Sequence, residues 1–271
     1  METKKNRISV IMGVYNSCPE YLKLAIESIL NQTYSEFEFI ICDDCSTNEE
    51  TIRILLEYED VDSRIKILRN SKNSGLAASL NHCLKYATGK YVARMDDDDI
   101  SHLDRFEKQV AFLDEHPEIS IVGTGITFID DSGNVWGKTN NIECPTKRSF
   151  LYGTPFTHPT IMIRKETYQA VDGYKSDKHT KRTEDYDMFM RMYAKGFKGY
   201  NLQENLFDYR MDISGYRKQK LIYRVDECII KYRGFKLLGL FPEGTLYLIK
   251  PIISGLIPNE LKYIRDRKRF K

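Results

Sequence analysis

The sequence predicts an α/β fold, with a mostly parallel central sheet flanked by helices and followed by a helical tail. Three observations carry this. Apolar runs of strand length begin at Ile8, Phe37, Ile65 and Tyr91. Each of the first three is followed by a stretch whose apolar residues repeat at helical spacing, and beyond about residue 212 the alternation stops. Strands that alternate with helices form βαβ units, whose strands lie parallel and are covered on both faces.

The run 8–14 is continuously apolar, as a doubly covered strand requires. Pro19 suits a first helical turn, and Leu22, Ala25, Ile26, Ile29 and Leu30 form the inward stripe of that helix. A second strand is expected over 37–42, after which Ser46 or Thr47 caps a helix carrying Ile52, Leu55 and Leu56 on one face. A third strand covers 65–68. Gly75 opens a helix through Leu76, Leu80, Leu84 and Ala87, closed by Gly89, and 91–95 is the fourth strand. Then come a helix over 104–116, a strand over 119–129 and a turn at Asp130-Asp131-Ser132-Gly133. A strand over 160–164 and a helix over 185–195, ended by Gly196, complete the series.

Composition excludes several classes of function. A chain of 271 residues, 30% charged and 41% hydrophobic, suits one substantial core. A net charge of +2 gives no argument for a nucleic-acid partner. Six cysteines in a chain of this length make no disulfide framework. Cys42-Asp43-Asp44-Cys45 has CxxC spacing, but a structural zinc site needs a second pair, and the two carboxylates oppose a redox thiolate. Lys4, Lys5 and Arg7 precede an apolar stretch too short, and without the small-residue cleavage site, for a secretory signal. No stretch reaches the ~18 apolar residues of a membrane span, so a cytoplasmic protein is expected.

The chemistry concentrates at Asp96-Asp97-Asp98-Asp99, directly after the strand 91–95. With adjacent Cα atoms ~3.8 Å apart, these acids must raise their pKa values or share a cation. Oxygen-only ligands suit Mg²⁺ or Mn²⁺. An EF-hand is excluded, since its sixth and twelfth positions would be Ser101 and Glu107. Ligands of parallel sheets bind beyond the carboxyl ends of the strands, where Tyr15 with Asn16, Asp43 with Asp44, and the acidic quartet all fall. Glu184 and Asp185 sit where a helix begins, a position that helix capping alone also favours.

With its motifs in order, the chain resembles the inverting nucleotide-sugar transferases of glycosyltransferase family 2, which have the GT-A fold. The resemblance covers roughly 8–212. It rests on Val10-Ile11-Met12-Gly13-Val14-Tyr15-Asn16, Cys42-Asp43-Asp44-Cys45-Ser46-Thr47, Asn73 with Gly75 and Asn81, and Ala93-Arg94-Met95 before the quartet. His158-Pro159-Thr160, Thr183-Glu184-Asp185-Tyr186-Asp187 and Tyr209-Arg210 complete it. The segment from Leu76 to Leu84 is especially like that of transferases building bacterial exopolysaccharides and capsules. The resemblance implies a GT-A domain over 1–212 that binds a UDP-sugar through Val14, Tyr15, Asn16, Asp44, Asn73, Gly75, Asn81, Arg94, Asp96 and Asp97. Tyr15 would border the base and Asp44 accept the uracil N–H. Asp96 and Asp98 would form the DxD motif that holds Mn²⁺ or Mg²⁺, with Asp98 the direct ligand. Asp185 would be the general base, with His158 and Glu184 on the acceptor side. Two positions depart from the family pattern: Gly13 replaces a frequent Pro, and Leu80 replaces an Arg, which leaves one phosphate contact unassigned.

The tail, 213–271, carries apolar pieces at 218–232, 235–241 and 247–257, broken by Pro242, Pro251 and Pro258 and ending in a basic run. Such pieces fit helices lying in an anionic membrane surface; a lid on the catalytic core or a dimer interface fits the same pattern. The expected protein is a hexosyl- or N-acetylhexosaminyltransferase, peripheral at the inner face of the cell membrane, extending a lipid-linked or polysaccharide acceptor. A nucleotidylyltransferase would need a Gly-rich basic loop where Tyr15-Asn16-Ser17-Cys18-Pro19 stands. A regulatory protein that keeps the nucleotide pocket without turnover is the other alternative.

Overall fold

Ile8–Val14 (β1) and Phe37–Asp43 (β2) are buried along almost their whole length, as unbroken apolar strands must be when both faces of a sheet are covered. The computed structural model describes residues 8–211 and 221–270. Ile65–Arg69 (β3) and Tyr91–Met95 (β4) join the first two strands in the order β3-β2-β1-β4, all parallel. Between them run Pro19–Leu30 (α1), Glu49–Val61 (α2) and Leu76–Tyr86 (α3).

Alternate strand residues serve different faces, as the two-residue repeat demands. Ile11, Ile40 and Val92 pack with Leu80 and Cys83 of α3, while Val10, Met12, Phe39 and Ile41 pack with Leu22 and Ile26 of α1 and Ile54 of α2. Each such side chain taken out of water contributes roughly 1.5–3 kcal/mol.

The second half of the sheet is mixed. Ile100–Ser101 (β5), Ile121–Ile129 (β6), Val135–Thr139 (β7), Met162–Arg164 (β8) and Gly199–Arg210 (β9) continue the order as β4-β8-β6-β9-β5, with β7 paired to β6. β8 runs antiparallel to β4 and β6, whereas β9 runs parallel to β6 with two register shifts. Arg105–Glu115 (α4), Lys165–Ala170 (α5) and Glu184–Ala194 (α6) complete this part.

Several local expectations change. The cap of α2 is Asn48, whose Oδ1 accepts from the N–H groups of Glu50 (2.9 Å) and Thr51 (3.3 Å). Ser46 and Thr47 are already engaged: Asn16 donates its N–H to Ser46 Oγ, and Asn16 Oδ1 accepts from Thr47 N–H. The helix therefore starts later and buries Thr51, Ile54 and Leu55, leaving Leu56 exposed. α3 stops at Tyr86, with Ala87 rather than Gly89 at its end. The strand expected over 160–164 begins at Met162, because His158–Thr160 winds one 3₁₀ turn around Pro159.

The tail begins with Leu221–Leu238 (α7), which packs on α6 and contributes Ile230, Phe235 and Leu238 to the core shared with Phe189 and Met190. It therefore belongs to the body of the protein, in the manner of the lid alternative. Thr245–Leu248 (α8), Lys250–Gly255 (α9) and Asn259–Arg269 (α10) follow, and Phe270 returns to stack near Phe128 of β6. The 212/213 boundary, the start of the helix expected over 218–232, the N-terminal Lys4, Lys5 and Arg7, and Lys271 lie outside the described residues. Among the described residues no helix is long and apolar enough to cross a membrane.

Candidate active site

Register brings the chemistry together. Val14 pairs with Asp43, and Met12 with Met95, so β1, β2 and β4 end along one edge. Antiparallel β8 delivers His158 to that edge, and the end of β9 delivers Tyr209 and Arg210. A cleft of about 890 Å³ opens there, lined among others by Asn73, Gly75, Arg94, Asp96, His158, Glu184 and Asp185. Asp98 is reached through the quartet: ligand oxygens of Asp96, Asp98 and Asp99 all lie within 4.8 Å of one another.

The quartet divides its work. Asp96 pairs with Arg94, whose guanidinium is buried yet leaves Nε and Nη1 without hydrogen-bond partners among the described residues. Asp97 accepts from the Ser17 hydroxyl, tying the quartet to the loop after β1. Asp99 Oδ1 accepts from Arg210 N–H (2.7 Å), and Arg210 Nε donates to the Asp98 carbonyl (2.8 Å). Asp99 Oδ2 is buried and has no hydrogen-bond partner among the described residues.

Burial, with mutual repulsion added to it, raises the pKa values of three of these acids. Burial pushes Asp97 up to about 6, with the Ser17 hydroxyl working against it. Burial first, then Asp96 and Asp97, push Asp98 up to about 7. Burial and the neighbouring acids drive Asp99 well above the carboxylate range. An oxygen-only set of close carboxylates with an unsatisfied buried oxygen fits a hard divalent cation. Asp96, which lines the cleft, and Asp98, with a carboxylate oxygen within 4.8 Å of one of Asp96, are the residues that would hold it.

Asp44 is buried and takes three donors: Asn70 Nδ2 (2.7 Å), Ser74 N–H (2.9 Å) and Gly75 N–H (2.7 Å). It thereby shapes the 73–75 loop that lines the cleft, and a carboxylate with about four acceptor positions keeps one for a ligand. Gly75, at φ 87° and ψ 164°, adopts a backbone conformation essentially restricted to glycine.

Several expected donor contacts instead hold the frame. Val14 is buried, and its carbonyl accepts from Asp44 N–H (2.8 Å). Asn16, in the left-handed region at φ 49°, grips Thr47 and Asn48. Asn81 donates to the Tyr174 carbonyl (2.7 Å) and accepts from Tyr174 N–H (2.9 Å), so its amide is spent away from the cleft. Tyr15 is half exposed at the end of β1.

At the start of α6, Asp185 Oδ1 accepts from Tyr186 N–H (2.8 Å), and Oδ2 has no partner among the described residues. Burial raises the Asp185 pKa against the pull of that N–H and of Arg94. Glu184 is pushed up to about 7, chiefly by burial and then by Asp185. His158 Nε2 meets the Tyr174 hydroxyl at 2.8 Å, and burial together with Arg94 holds its pKa well below the usual range, so it is a neutral imidazole.

Sequence reasoning missed Tyr209 as a lining residue and, beside it, the basic loop Lys178, Lys181 and Arg182, which also lines the cleft. Three cations in five positions just before Glu184 were the available signal.

The sequence model of glycosyl transferase family 2 matches residues 9–179. The chain belongs to glycosyl transferase family 2. The transferase is 42% identical to the glycosyltransferase-family protein EpsE of Bacillus subtilis, over 97% of this chain and 94% of that protein. It is 28% identical to the amylovoran biosynthesis glycosyltransferase AmsE of Erwinia amylovora, over 96% of this chain and 99% of that protein. Among solved structures it resembles S. aureus TarS 1–349 in complex with UDP-GlcNAc, at TM-score 0.67 and 21% identity over 87% of this chain and 71% of that one. It also resembles the mannosyltransferase PcManGT from Pyrobaculum calidifontis in complex with GDP-Man and Mn²⁺, at TM-score 0.63 and 17% identity over 93% and 69%. The transferase thus has the GT-A fold expected of its family.

Proposed function

We propose that this transferase moves a sugar from a UDP-sugar to a lipid-linked or polysaccharide acceptor in bacterial polysaccharide synthesis, with inversion at the anomeric carbon. The observation that carries the reading is the convergence on one edge of Asp185 and of the carboxylates Asp96 and Asp98. Support for the pathway comes from AmsE, named for amylovoran biosynthesis, and for the donor class from neighbours that bind UDP-GlcNAc or GDP-Man.

In this mechanism the unpartnered Asp185 Oδ2 takes the proton of an acceptor hydroxyl while that oxygen bonds to the anomeric carbon. The bond from this carbon to the β-phosphate oxygen breaks, and its electron pair leaves with UDP. A raised pKa makes Asp185 a stronger base. Asp96 and Asp98 would hold Mn²⁺ or Mg²⁺, which supplies Lewis-acid stabilisation of the leaving diphosphate. Asp44 offers its remaining acceptor position to the uracil N–H, and Tyr15 borders the base. Neutral His158 and Glu184 face the acceptor.

Residues 1–212 would form the catalytic unit, and the last helices would dock on an anionic membrane. Leu246 is 85% exposed and Leu256 73%, beside exposed Ile249, Ile253 and Lys250. α10 exposes Leu261 and Ile264 with Arg265, Lys268 and Arg269. Apolar side chains fringed by cations suit a lipid headgroup boundary, which would keep the enzyme peripheral on the cytoplasmic side.

The test uses two variants. Asp185→Asn should bind UDP with Mn²⁺ but not turn over, and Asp98→Ala should lose metal-dependent UDP binding. Full transfer by Asp185→Asn would remove the base assignment. For the membrane, Leu246→Asp with Leu256→Asp should abolish flotation with anionic liposomes, and unchanged flotation would count against docking.

A further inference from the structure

The loop between α5 and α6 alternates in its partners. Asp177 pairs with Arg233 of α7 (3.3 Å), and His179 Nδ1 with Asp226 of α7 (2.7 Å). Thr180 is buried, and its hydroxyl lies within hydrogen-bond reach of the Lys175 carbonyl (2.8 Å) and of Asp177 N–H (3.0 Å). The positions between these anchors, Lys178, Lys181 and Arg182, line the cleft, are exposed, and form no ion pair among the described residues. Arg182 takes the left-handed conformation at φ 67°, which costs a side-chain-bearing residue free energy, and its guanidinium lies over the Tyr223 ring of α7 at 5.4 Å. The loop is therefore a built element that α7 holds in place.

The same cleft is lined by Asp96, Glu184 and Asp185, and its buried cation, Arg94, is already paired with Asp96. Without the loop cations a diphosphate entering such a site would meet net negative charge, and one divalent cation would offset only part of it.

We propose that Lys178, Lys181 and Arg182 form a diphosphate-binding wall of this cleft, held in place by α7, which grips the nucleotide sugar and stabilises the leaving group. This rests on the donor reading given above. The loop supplies the phosphate contact left unassigned by Leu80. It also takes up the charge that appears when the anomeric C–O bond breaks and its electron pair passes to the β-phosphate oxygen. It makes α7, though far along the chain, a positioning element of the donor site.

The experiment titrates the full-length protein with UDP and with uridine in the presence of Mn²⁺. It compares wild type, the single variants Lys178→Gln and Lys181→Gln, and the triple variant that adds Arg182→Gln. All three side chains are exposed, so the fold should survive, and the single variants stand if the triple does not fold. Each single substitution should weaken UDP binding about tenfold, as loss of a charged hydrogen bond does, while uridine affinity stays unchanged. Equal UDP affinity in the variants, or a loss confined to the KM of a lipid-diphosphate acceptor, would overturn the proposal while leaving the donor reading intact. Failure of wild type itself to bind UDP would overturn both.

Discussion

Arg94 and Asp96 form an ion pair at the end of β4 in which the arginine is 2% exposed and two of its nitrogens have no hydrogen-bond partner among the described residues. Burial raises the pKa values of Asp185 and Glu184 and depresses that of His158; the charge of Arg94 opposes the first two shifts and adds to the third. The buried guanidinium thus opposes part of the rise that burial imposes on the carboxylates around it.

Transfer should lose rate in acid. Asp185 must be ionised to accept a proton, and burial has raised its pKa, so kcat should be level at higher pH and fall as pH drops through that raised value. A pH profile of sugar transfer checks this, and a rate that stays constant down to the ordinary aspartate range would contradict it. Asp185→Asn should reduce kcat by about 10²–10⁴-fold.

Arg94→Met should move that acid limb upward. Without the guanidinium, Asp185 and Glu184 lose an attraction that favours their ionised forms, so the limb shifts to higher pH. The profile of the variant decides; a limb that stays in place would mean that Arg94 does not set these pKa values.

Asp44→Ala should strip the 73–75 loop of its anchor. Ser74 and Gly75 N–H groups and the Asn70 amide lose their acceptor, a cost of about 1–3 kcal/mol if any is left buried. Urea unfolding should show the loss and UDP titration a weaker Kd, with Asp44→Asn recovering part of each. Wild-type values for both would refute the anchoring role.

Gly75→Ala tests conformation alone. A Cβ there would meet no atom within 4 Å, so the whole effect should come from φ 87° and ψ 164°, about 1–3 kcal/mol. Denaturant midpoints measure it, and an unchanged midpoint would show that the loop can relax.

The amino-acid sequence alone is enough to read the first four strands, the helices between them and the edge at which Asp44, Asp96 and Asp98 fall, whereas Asp185, at a helix start, is legible only through the family resemblance. β1, β2 and β4 are buried on both faces and read as nearly unbroken apolar runs, β3 at the sheet edge keeps Lys66 and Arg69 exposed, and parallel strands deliver their carboxyl ends to a common side. The remainder depends on contacts made in three dimensions. β9 is legible as neither helix nor strand, because Gly199–Arg210 mixes polar and apolar residues and takes its place only against β6 and β5. Asn16, Asn81 and Asp97 became frame rather than ligand contacts because partners distant in sequence, Thr47, Tyr174 and Ser17, consume their polar atoms. The basic loop faces the cleft because α7, some fifty residues further on, holds Asp177 and His179. Hydrophobic periodicity is a local property and survives in the sequence. The pairing of polar groups is settled by whichever partners folding brings within hydrogen-bonding distance.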